Sequence, residues 1–122
     1  LIMKLQPLLI GVGLFLVAQV GAWFQTNGQF ISIWMKDNPI TVSALMGVPV
    51  GLCYIYGTSN LVVAFNGQLW PSRLLGFATG ISTFTFLTYG FLKEGINLKT
   101  AIILVLASVI VMLQVFWKYE NE

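Results

Sequence analysis

Four amide side chains interrupt an otherwise apolar run at residues 18–29, Ala18-Gln19-Val20-Gly21-Ala22-Trp23-Phe24-Gln25-Thr26-Asn27-Gly28-Gln29. At about 3.6 residues per helical turn, Gln19, Trp23 and Asn27 fall on one face of a helix. A helix that continues to Trp34 extends this face. Because amides buried in hydrocarbon need hydrogen-bonding partners, we expect this helix to face protein or a wet cavity.

The composition is that of an integral membrane protein. Of the 122 residues, 57% are hydrophobic and 8% are charged, whereas about 25% are charged in ordinary soluble domains. Six Lys and Arg residues and four Asp and Glu residues provide too little polar surface for a soluble domain of this size. The sequence therefore predicts the lipid bilayer as a partner and a multi-pass protein of a cell or inner membrane.

Several function classes are disfavoured by what the sequence lacks. The net charge of +2 comes from cations spaced singly along the chain, whereas nucleic-acid binding needs a clustered basic face. There is no histidine, the commonest metal ligand and proton relay. A nucleophile such as Ser82 therefore has neither a histidine nor a buried carboxylate as its base. We predict no nucleic-acid partner, no enzyme activity, no metal and no cofactor.

Polar boundaries divide the chain into four apolar segments, each judged against the need for about 20 residues per crossing helix. Asn38 and Pro39 are typical of an N-cap and a first helical position. Residues 66–68 form a turn, Gly95 is predicted to be a C-cap and Asn97 the next N-cap. The sequence thus predicts one all-α domain over residues 1–122. It is a polytopic membrane bundle of four transmembrane helices at about 7–34, 40–65, 71–92 and 98–117.

Three residues within these spans are predicted to shape helix packing. Pro49 removes a backbone hydrogen bond and should kink the second helix. Gly76 and Gly80 form a GxxxG motif in the third helix, which is typical of close contact between helices. We expect this motif to pack within the chain or between chains.

The positive charges do not choose an orientation in the membrane. Three cations fall on each side, Lys4, Arg73 and Lys118 against Lys36, Lys93 and Lys99. Two interpretations remain open under the positive-inside rule. Either a leader or a partner protein sets the topology, or the chain inserts both ways and pairs antiparallel.

Two motifs and the four-helix layout resemble the drug/metabolite transporter superfamily. The motifs are Ala18-Gln19-Val20-Gly21 and, between the third and fourth helices, Phe86-Leu87-Thr88-Tyr89-Gly90-Phe91-Leu92-Lys93-Glu94-Gly95-Ile96-Asn97-Leu98. In the four-helix small multidrug resistance transporters, a membrane-embedded Glu of the first helix binds protons and cationic substrate in competition. Gln19 stands at that position here, and the family's Trp-x-Gly signature is missing from the third helix. Because an amide does not titrate, proton-coupled cation export is not expected at this position.

The candidate substrate-binding residues lie on the first two helices. They are Gln19, Trp23, Asn27, Tyr54 and Asn60. Each group has a structural alternative. In this alternative, Gln19, Trp23 and Asn27 pair with neighbouring helices and hold the helices together. Tyr54 and Asn60 then belong to an aromatic cluster at the membrane interface.

Two hypotheses for the function follow. In the first, the chain is a small transporter-like protein that moves a neutral or amphipathic solute as a homodimer or with a second small subunit. In the second, it is a non-catalytic structural or accessory subunit of a larger membrane complex. A solute-sized cavity between the first and third helices favours the first hypothesis. Direct pairing of the polar groups around a filled interior favours the second.

Overall fold

The computed structural model describes residues 4–117, and this part of the chain is an all-α bundle without strands. Four of its helices are long and apolar enough to cross a membrane, which confirms the predicted fold class. Residues 1–3 and 118–122, with Lys118 of the charge count, lie outside the described residues. The helices are α1 (Leu5–Asn27), α2 (Ile33–Asp37), α3 (Pro39–Ala64), α4 (Trp70–Leu92) and α5 (Leu98–Phe116), with a short 3-10 helix at Gly28–Phe30.

The first helix ends earlier than residue 34. α1 stops at Asn27, the 3-10 helix follows, and Ser32 begins the separate helix α2. The Ser32 hydroxyl accepts a hydrogen bond from the backbone N–H of Met35 at 3.4 Å, as is usual for a serine N-cap. Met35 then packs over Gly28, where the missing side chain leaves room. Trp34 therefore belongs to α2 and does not extend the face of Gln19.

The other helix boundaries follow local signals with two exceptions. Asn38 stands at the N-cap position of α3, but its side chain makes no cap hydrogen bond and instead donates from Nδ2 to the Trp34 carbonyl at 2.8 Å. Pro39 is the first residue of α3, and the Asn97 side chain caps α5 by accepting from the N–H of Thr100 at 2.8 Å. Gly95 is not the C-cap of α4. That position is Lys93, which adopts a left-handed conformation with φ 59° and donates its N–H to the Tyr89 carbonyl at 3.1 Å.

α1 is the centre of the bundle. It packs along α3 and against α4, whereas α5 packs mainly against α4. The start of α1 lies beside the end of α3, where the Lys4 N–H donates to the Ala64 carbonyl at 3.1 Å. The buried core at this end contains Phe15, Leu61, Ala64 and Phe65.

Glycines set the close approach of α1 and α3. A Cβ at Gly11 would lie 2.6 Å from the Leu61 side chain, and a Cβ at Gly57 would lie 2.6 Å from the Phe15 ring. At the level of Pro49, the approach is made by Gly21 of α1, whose Cβ would lie 2.7 Å from the Val50 side chain. Pro49 itself is exposed within α3, so the close packing at this level comes from Gly21 and Val50.

Candidate functional site

α3 and α4 make far fewer contacts with each other than either makes with α1, and a cleft lies where they diverge. Its volume is about 860 Å³, within the range of about 300–1,000 Å³ that is usual for small-molecule sites. α1 contributes its floor, and α3 and α4 contribute its walls. It is lined by Phe15, Gln19, Tyr54, Thr58, Leu69, Trp70, Ser72, Arg73, Leu74, Gly76, Phe77, Gly80 and Ile81.

Gln19 lies on the floor of the cleft and joins α1 to α4. Its Nε2 donates a hydrogen bond to the Gly76 carbonyl oxygen at 3.1 Å. A Cβ at Gly80 would lie 3.1 Å from the same nitrogen, and a Cβ at Gly76 would lie 3.2 Å from the Phe15 ring. The GxxxG motif thus faces α1 within the chain, and its missing side chains make room for Phe15 and Gln19.

Trp23 and Asn27 do not line the cleft, although they share the predicted helical face with Gln19. The Trp23 indole is buried and donates from Nε1 to the Thr88 hydroxyl oxygen at 3.0 Å. Its ring also packs against Phe91, with centroids 5.7 Å apart. Asn27 donates to the adjacent Thr26 hydroxyl at 3.1 Å. Of these three residues, Gln19 therefore lines the cleft, Trp23 joins α1 to α4, and Asn27 makes a local contact.

The two candidate residues of α3 also separate. Tyr54 lines the cleft and packs edge-on against Phe15, with ring centroids 5.8 Å apart. Asn60 does not line the cleft, and its Nδ2 donates to the Tyr56 carbonyl on its own helix at 2.8 Å. The cleft wall on α3 is instead completed by Thr58, one turn from Tyr54.

The mouth of the cleft contains residues that were not predicted as site residues from the sequence. Arg73 is exposed, lines the cleft together with Tyr54, and follows the exposed Trp70 by one turn. Ser72 is buried and donates to the Leu69 carbonyl at 2.7 Å. Arg73, Gly76 and Gly80 are spaced at i, i+3 and i+7, which places all three on one face of the helix. This spacing could have predicted that Arg73 lines the same site as the two glycines.

The lining of the cleft is mostly apolar, with a few polar side chains. Its lining residues include neither a carboxylate nor a thiol, and the described residues contain no group of His, Cys, Asp or Glu that could hold a metal ion. Aromatic and aliphatic side chains form most of its surface, with Gln19 and Tyr54 at depth and Arg73 at the mouth. Such a site suits a molecule that has an apolar body and a polar end.

A second, smaller cavity of about 380 Å³ lies between α4 and α5. Its polar groups are largely occupied within their own helices, since Thr85 donates to the Ile81 carbonyl at 2.8 Å and Ser108 donates to the Leu104 carbonyl at 2.9 Å. The cleft over α1 is therefore the stronger candidate site.

No family model, curated protein or solved structure matches the chain.

Proposed function

We propose that this chain is a small membrane transport protein of the drug/metabolite transporter type, which binds a neutral or amphipathic solute in the cleft over α1. The observation that carries the proposal is the cleft of about 860 Å³ with Gln19 and Tyr54 in its lining. It provides hydrogen-bonding groups inside an apolar site, as solute recognition within a membrane requires.

The shape of the cleft also supports the proposed homodimer or pairing with a second small subunit. One chain provides a floor from α1 and two walls from α3 and α4, and the cleft is open rather than enclosed. A transporter must shield its solute from the surrounding lipid during transfer. A second copy, or a small partner, would supply the missing wall.

Binding in this cleft does not require a proton to compete with the solute. Gln19 keeps the same charge at all pH values, and its amide offers two N–H donors and an acceptor oxygen. One donor is bonded to the Gly76 carbonyl, which fixes the orientation of the side chain. Recognition would therefore combine hydrogen bonds with apolar contact, and any coupling to an ion gradient would come from the partner.

A specific observation favours the accessory-subunit alternative. Gln19 and Trp23 both donate hydrogen bonds directly to α4, at 3.1 and 3.0 Å, as expected of polar side chains that hold helices together. In that case the cleft is a docking groove for a helix of a larger complex.

Filling the cleft separates the two functions. Thr58→Trp places an indole in the cleft, whereas Ile55→Trp adds the same ring to α3 at a residue that is 63% exposed. We expect cells that express the wild-type protein to differ from empty-vector cells in their accumulation of some members of a panel of neutral and amphipathic dyes. Thr58→Trp should abolish this difference and Ile55→Trp should retain it. No difference for the wild type, together with stoichiometric purification in a large complex, would support the accessory subunit instead.

A further inference from the structure

We propose that the cleft binds an anionic phospholipid of the surrounding bilayer, with one acyl chain between α3 and α4 and the phosphate at Arg73. This inference rests on the proposed function, because it names the class of amphipathic molecule that the cleft takes. It follows from three features of the described residues: the charge at the mouth, the apolar walls and the side on which the cleft opens.

A cation lies at the mouth of the cleft, and the lining residues include no carboxylate that would pair with it. Arg73 is exposed at the mouth, and Lys4 is exposed beside the end of α3. Within residues 4–117, the opposite end of the bundle carries the cations Lys36, Lys93 and Lys99 together with the carboxylates Asp37 and Glu94. The length of α4, about 33 Å at 1.5 Å per residue, separates Glu94 from this mouth. A guanidinium here is complementary to phosphate, which it can bind through two parallel hydrogen bonds.

The walls of the cleft suit a hydrocarbon chain. From Arg73 to Ile81 the cleft follows α4 for about 12 Å, and Leu74, Phe77 and Ile81 line it on this helix. Gln19 at the floor is already bonded to the Gly76 carbonyl. An apolar chain can therefore pass this amide without leaving that donor unpaired.

The position of the opening explains why the ligand comes from the bilayer. α1 closes the floor of the cleft, and the limited contact between α3 and α4 leaves the gap on the side away from α1. In a membrane-spanning bundle this side of the single chain is open to lipid, so a lipid can enter before a second copy or a small partner supplies the missing wall. Trp70 is 70% exposed at the start of α4, where an indole anchors the helix at the level of the lipid headgroups.

The test is native mass spectrometry of the full chain released from vesicles that contain equal amounts of phosphatidylglycerol and phosphatidylcholine. We expect the lipid retained by the wild type to be enriched about fivefold in phosphatidylglycerol, the factor typical of one cation at an anionic headgroup. Arg73→Gln should reduce this ratio to about one. The matched control is Lys93→Gln, which removes an exposed cation at the opposite end and should leave the enrichment unchanged. Thr58→Trp should reduce the retention of both lipids, and circular dichroism melts would verify that each variant is folded.

Three results would overturn the inference: no enrichment in the wild type, equal losses with Arg73→Gln and Lys93→Gln, or retention of an added fatty acid but of neither phospholipid. The dye measurements distinguish this failure from that of the proposed function. Dye accumulation that depends on an open cleft, without lipid enrichment, would refute only the lipid assignment. Enrichment that depends on Arg73, without any effect on the dyes, would support lipid binding and refute solute transport.

Discussion

Replacement of Gly57 by alanine tests the packing of the bundle centre. The new Cβ would lie 2.6 and 2.8 Å from two carbons of the Phe15 ring and 3.3 Å from the Gly11 carbonyl oxygen. Phe15 is 4% exposed and packs edge-on against Tyr54, but its opposite edge faces Gly76, which has no side chain, and the cleft, so the ring has some room to shift. The ring lies between glycines of two different helices.

The matched control is Gly51→Ala on the same helix, where a Cβ would meet nothing within 4 Å. Both variants gain the same helix propensity, about 1 kcal/mol, so this contribution cancels in their difference. What remains is the cost of overpacking, about 1–3 kcal/mol. Because Phe15 can shift part of the way toward Gly76 and the cleft, we expect a difference near the middle of this range, with Gly57→Ala the less stable variant.

The assay is reversible unfolding in mixed micelles, followed by circular dichroism, for the two variants and the wild type. Adding Phe15→Leu to Gly57→Ala should recover part of the lost free energy of unfolding, because the smaller side chain relieves the contact. Equal stability of the two alanine variants would refute the close approach of α1 and α3 at Gly57. Destabilisation by Gly57→Ala without recovery in the double variant would show that Phe15 is not the residue in contact.

Two further predictions concern hydrogen bonds that hold the helices. In a double-mutant cycle of Trp23→Phe and Thr88→Val, we expect a coupling of about 0.6 kcal/mol in unfolding free energy, the average for hydrogen bonds between membrane helices. Zero coupling would contradict the hydrogen bond from Trp23 Nε1 to the Thr88 hydroxyl. Asn97→Ala should destabilise the start of α5 by about 1 kcal/mol through loss of its N-cap, seen as faster amide exchange at Thr100, whereas Lys99→Ala should leave this exchange unchanged.

Much of the fold is readable from local sequence because the membrane imposes a simple rule of length and hydropathy. Four apolar segments separated by polar turns predict four crossing helices, and Pro39 and Asn97 mark two helix starts in the structure. The break after Asn27 was not predicted, because the apolar residues around Ser32 continue the hydropathy signal through it. The assignment of Gly95 as a C-cap was wrong because Lys93 takes the left-handed conformation at the end of α4.

The candidate site was only partly predictable, because its position depends on how far helices diverge. Gln19 and Tyr54 line the cleft, whereas Trp23, Asn27 and Asn60 have partners elsewhere. Helical periodicity shows which residues share a face of a helix. It does not show at which position along the helix a neighbouring helix diverges and leaves a cleft. Arg73 was not predicted as a lining residue for the same reason, since its position beside Tyr54 depends on the distance between α3 and α4.

The long sequence separation of the contacts made by α1 has a consequence for biosynthesis. Gln19 bonds to a carbonyl 57 residues later in the chain, and Trp23 bonds to a hydroxyl 65 residues later. At about 5–20 residues per second, a ribosome needs about 3–13 seconds to make these partners after α1 has emerged. During this interval α1 can already pack against α3 through Gly11 and Gly57. This pair of helices can keep the Gln19 amide away from lipid before its partner on α4 is made. Insertion of α4 is then the step that completes the hydrogen bonds of the first helix.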